Sequence, residues 1–187
     1  MNLVYPLNAV VSLVVGIGLW TLWHRDKQHV FLRSMALGML THPLVALSFG
    51  LLDTPFASSS VAAVLVFSTA LAMSTGFAVG AVVEFGGGQM TWPRRALLVS
   101  LLAGSTTVLI KSGQSALIGW PQMAAYAAIG LAFGVRRWQH GNTERVIAIT
   151  FVLLGANWML VALMGPEGAL YQAAVGSVLT VAVTKPS

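Results

Sequence analysis

The sequence predicts an all-α integral membrane protein. It reads as a bundle of seven transmembrane helices, N-terminus out and C-terminus in, forming one domain over residues 1–187. Three observations lead there. Hydrophobic residues make up 57% of the chain and charged residues only 8%, with a mean hydropathy of +0.82. A soluble domain carries about 25% charged residues, because its surface must meet water. Apolar runs of membrane-crossing character recur seven times along the chain, and the basic residues between them fall on one side. Zero cysteines exclude disulfides, thiolate metal sites and cysteine nucleophiles. A net charge of +5 would suggest nucleic acid as the partner of a soluble protein. Here it reads as loop charge that orients helices, and no nucleic-acid partner is expected.

A helix crosses a hydrocarbon core of about 30 Å with about 20 residues. The first run is Leu3–Trp23. It has no Lys or Arg before its apolar stretch, so it lacks the basic n-region of a signal peptide and reads as an uncleaved first helix. After HRDKQH (24–29) comes Leu32–Leu52, with Pro43 inside it. Proline removes a backbone donor, which frees the carbonyl around Met39 and bends the helix. LDTPFASSS (52–60) precedes the third run, Ser60–Val83. EFGGGQMTWPRR (84–95) follows, and its triple glycine has no strand before it and no GK[ST] after it. It reads as a flexible cytoplasmic turn, not a phosphate loop. The fourth run, Ala96–Ile110, is short and ends at KSGQ (111–114). Ser115–Val135, RRWQHGNTER (136–145), Val146–Met164, GPEG (165–168) and the short Ala169–Thr184 complete the parse. No run alternates as barrel strands do.

With the N-terminus outside, Arg25, Lys27, Arg33, Arg94, Arg95, Arg136, Arg137, Arg145 and Lys185 all lie inside, and only Lys111 lies outside. Losing or adding one helix would put the later basic clusters on the wrong side, so the positive-inside rule supports seven.

Small residues recur every four positions: Ser68, Ala72, Gly76 and Gly80 in the third helix, Gly130 and Gly134 in the fifth, and Ala169, Ala173 and Ser177 in the seventh. Such stripes let backbones approach closely, within one bundle or across a homodimer. Trp20, Trp23, Trp92, Trp120 and Trp138 sit near helix ends and read as interfacial belt residues.

Polar groups at membrane depth mark function or specific packing. His42, Gln122, Tyr126, Asn157, Gln172 and Asn8 fall between the bilayer centre and the outer leaflet. Two readings stand: one shared outer-half pocket for a small or lipid-like ligand, or separate interhelical hydrogen bonds. A lone intramembrane histidine cannot supply paired haem ligation. His24, His29 and His140 are too scattered for a metal site, so no metal or other cofactor is expected. The last helix lacks a Schiff-base lysine. Asp26 lies in a loop and Asp53, Glu84, Glu144 and Glu167 at helix ends, away from membrane depth. No catalytic constellation survives, and the chain is expected not to be an enzyme.

LWTLWHRDKQHVFLRSMALGML, the Pro55 turn, FGGGQMTWPRRALL and VRRWQHGNTERVIAITFVLL together resemble the seven-helix N-terminal sensor module of bacterial signalling proteins. Those proteins end in a diguanylate cyclase (GGDEF) or kinase domain. The resemblance implies an inner-membrane receptor, a homodimer, and a cytoplasmic output domain in the same chain. No GGDEF motif follows Lys185-Pro186-Ser187, so the sequence reads as a standalone module or one cut at a domain boundary. The alternative is a small seven-helix transporter or permease. The helix-end carboxylates and the lack of an internal repeat weigh against it.

Overall fold

The computed structural model describes residues 4–52, 60–114, 117–118 and 120–137, together with positions 145, 148, 149 and 152. Five helices run through them, and among the described residues there is no strand. They are α1 (Val4–Arg25), α2 (Val30–Leu52), α3 (Val61–Phe85), α4 (Trp92–Lys111) and α5 (Trp120–Arg137). The sixth and seventh predicted runs lie outside the described residues, apart from the isolated helical positions 148, 149 and 152. Two helices, α2 over Val30–Ser48 and α3 over its whole length, are long and apolar enough to cross a membrane.

The chain divides into two compact units, Met1–Ser115 and Ala116–Ser187. In the first, α1 packs on α2, α2 on α3 and α3 on α4. Its packing reverses the pattern of a water-soluble helix. On α1 the buried positions are Ala9, Ser12, Gly16 and Leu19, while Leu7, Val10, Val14 and Ile17 are exposed. On α4 the buried positions are Arg95, Leu102 and Thr106, and Leu97, Leu101 and Val108 are exposed. Small residues dominate the covered face of α1, and large aliphatic residues stand exposed on both helices.

The helix ends are built by local chemistry. Ser60 caps α3, its Oγ accepting from the Ala63 N–H at 3.4 Å. The triple glycine is a turn that stops α3. Gly87 takes φ +78°, its N–H donates to the Glu84 carbonyl at 3.0 Å, and the Gly88 N–H donates to the Val83 carbonyl at 2.9 Å. That pair of bonds is a Schellman cap, which needs a residue free to adopt positive φ. α4 ends the same way, with Gly113 at φ +75° and the Gln114 N–H on the Leu109 carbonyl. α4 also starts a turn earlier than the sequence suggested. Thr91 is extended, and Pro93 sits in the first turn, where its missing N–H has no intrahelical partner to lose. Trp92-Pro93-Arg94-Arg95 is thereby helix and not loop. α5 likewise begins at Trp120-Pro121, later than the predicted Ser115.

The small-residue stripe of α3 is used within the chain. A Cβ on Gly76 would lie 2.7 Å from Val99 Cγ2, and one on Gly80 would lie 2.8 Å from Arg95 Nη2. The stripe is the groove into which successive turns of α4 settle. In the second unit Gly134 lies against Ala148 in the same manner. Ala169, Ala173 and Ser177 lie outside the described residues.

Candidate functional site

His42 sits midway along α2, half-buried against α3. Gly38, one turn before it, permits the approach: a Cβ there would lie 3.3 Å from the Ser74 carbonyl oxygen and 3.5 Å from the Ala78 nitrogen. Ser74 Oγ donates to the Gly38 carbonyl at 3.1 Å and lies 3.5 Å from His42 Nδ1. Nδ1 donates or accepts at that contact according to the ring's tautomer, and Nε2 takes the opposite role in the neutral ring. α2 continues as one helix through Pro43. Thr41 reinforces the turn before the proline, its Oγ1 donating to the Leu37 and Gly38 carbonyls at 3.0 and 2.9 Å.

The other predicted site residues divide by position. Gln122 and Tyr126 lie on one face of α5, one turn apart, and both are buried. They belong to the second unit. Asn157 and Gln172 lie outside the described residues, and Asn8 lies on α1 with its side chain outside them.

Sequence reasoning missed a second polar centre. Arg95 is buried, although it was expected to be a loop charge, and the Glu84 side chain is largely covered with it. The two form an ion pair of 2.9 Å between Nη2 and Oε1, their side chains 7% and 9% exposed. Nη1 and Nη2 both donate to Ser34 Oγ of α2 at 3.1 Å. The guanidinium carbon stands 4.9 Å from the Phe77 ring centre and 5.9 Å from that of Trp92. One arginine thus ties α2, α3 and α4 together at a single end. Gly80 clears its path, and the Schellman cap holds Glu84 at the last turn of α3. Glu84 does lie at a helix end, in the last turn of α3, and its side chain is largely covered there. Its Oε2 is buried without a hydrogen-bond partner among the described residues. A glutamate and an arginine flanking a glycine stop, with a glycine one turn before the glutamate, was the available signal.

Comparison with known proteins gives no match: no family model fits the chain, and no curated protein or solved structure is similar to it.

Proposed function

We propose that the chain is a seven-helix sensor module of a bacterial inner membrane, N-terminus out and C-terminus in. A small or lipophilic ligand binds in the outer half of the bundle and shifts a helix-packing equilibrium. A cytoplasmic output domain of diguanylate cyclase type reads that shift, in a homodimer joined along the seventh helix. The observation that carries the binding role is His42. Its Nδ1 lies 3.5 Å from Ser74 Oγ, which leaves Nε2 as a second polar ring atom at mid-helix. A polar group in hydrocarbon needs a partner, and a ligand polar group would supply it. The outward-facing aliphatic residues of α1 and α4 support the membrane setting. A ligand shifts the packing only through different affinities for its two arrangements.

The test is mass spectrometry of whatever copurifies with the protein in mild detergent, for the wild type and His42→Leu. A stoichiometric small molecule held by the wild type and lost from a folded His42→Leu variant supports the reading. Identical extracts refute it. The Glu84 carboxylate, largely covered against Arg95 at the end of α3, favours a second reading, a small transporter or permease. Proton flux in proteoliposomes loaded with a pH dye, present in the wild type and abolished by Glu84→Gln, would establish that reading instead.

A further inference from the structure

The ion pair changes the surface it leaves behind. At the end of the first unit where α1 finishes and α2 and α4 begin, Arg25, Lys27, Arg33 and Arg94 are exposed. Glu84 would have offset them, but it is largely covered against Arg95. The one exposed carboxylate there among the described residues, Asp26, is engaged locally: it lies 3.3 Å from His29 Nε2 and accepts the Gln28 N–H at 3.2 Å. Four cations therefore face outward with a single, occupied anion among them. Aromatic rings stand beside them. Trp20 and Trp23 pack at 4.9 Å between ring centres, Arg33 lies 5.8 Å over Trp23, and Trp92 is 71% exposed.

We propose that this face is a docking surface for anionic phospholipid headgroups of the cytoplasmic leaflet. The proposal rests on the membrane reading above. Indole rings settle at headgroup level, where one edge is apolar and the other wet. Cations held at that same level meet phosphates directly, and the exposed Leu13, Ile17 and Leu22 of α1 provide an aliphatic wall for the attached chains. The surface differs from the opposite end of this unit, where Lys111 is the basic residue of the segment Lys111–Gln114. Each cation near an anionic surface strengthens attraction by about fivefold, and the effect falls with ionic strength.

The experiment reconstitutes the full chain into nanodiscs of phosphatidylcholine with a minor fraction of phosphatidylglycerol. Lipids retained after gentle detergent stripping are counted by native mass spectrometry. The wild type is expected to retain phosphatidylglycerol several-fold above its bulk share, and less of it at high salt. Arg94→Gln and Lys27→Gln should each lower that excess by about fivefold. Arg94→Lys should preserve it, and Lys111→Gln should leave it unchanged. Retention at bulk proportion, or an equal loss from Lys111→Gln, overturns the proposal while leaving the membrane reading intact. A protein that does not enter the bilayer overturns both. Because the salt dependence is read on the wild type, misfolding of a variant does not rescue the idea.

Discussion

Replacing Glu84 with leucine would leave Arg95 buried without its counter-charge. At the 2.9 Å separation of Nη2 and Oε1, the attraction is about 6 kcal/mol for an effective dielectric of about 20. Ser34 keeps its two bonds to the guanidinium, and the Phe77 ring remains beneath it, so part of the loss is recovered. Breaking one partner of a buried pair costs about 3–5 kcal/mol, whereas replacing both with apolar residues is often neutral or stabilising. Glu84→Leu and Arg95→Leu should therefore each lower the unfolding midpoint in detergent by about 10 °C. The double variant should return close to the wild type. The assay is a double-mutant cycle by thermal unfolding, with free energies from denaturant titration. A single-variant loss below about 1 kcal/mol, or a double variant whose loss is the sum of the singles, would refute the buried pair.

The remaining predictions use the same measurement on single residues. Gly80→Ala presses a methyl group on a guanidinium that Glu84 and Ser34 hold in place, and should cost about 1–3 kcal/mol. Gly104→Ala meets nothing within 4 Å and should be neutral or stabilising by up to about 1 kcal/mol; equal losses at the two sites would contradict the α3–α4 groove. Gly87→Ala, at φ +78°, should cost about 1–2 kcal/mol, with no comparable loss at Gly86, whose φ is −72°. Ser74→Ala removes the link between α2 and α3 and should cost about 0.6–2 kcal/mol, and a shift of the His42 ring signals in NMR would report the lost Nδ1 bond.

The first five helices were legible because each is an unbroken apolar run between punctuation that a membrane-crossing helix cannot absorb, such as HRDKQH or KSGQ. The start of α4 was not. Trp-Pro-Arg-Arg looks like a polar loop until Thr91 is seen as the residue before the first turn and Arg95 as facing inward. Burial of an arginine depends on a carboxylate of the preceding helix, a glycine notch and a serine on a third helix, and the local glutamate–glycine–arginine pattern does not encode the serine. The triple glycine announced a break but not its form, which comes from two backbone hydrogen bonds. His42 stood out as a polar residue in an apolar run, whereas its partner Ser74 is one of many small hydroxyl residues and carried no distinguishing signal. Gln122 and Tyr126 shared a face by spacing alone, since residues four apart on a helix lie one above the other.

Orientation and helix number are joined in one claim: an odd number of crossings with the N-terminus outside puts the C-terminus in the cytoplasm. Paired C-terminal fusions in bacterial cells measure this directly, one to alkaline phosphatase, active only outside, and one to a fluorescent protein that matures only inside. The account predicts a fluorescent fusion and a silent phosphatase. An active phosphatase with a dark fluorescent partner would contradict it, and with it the seven-helix sensor.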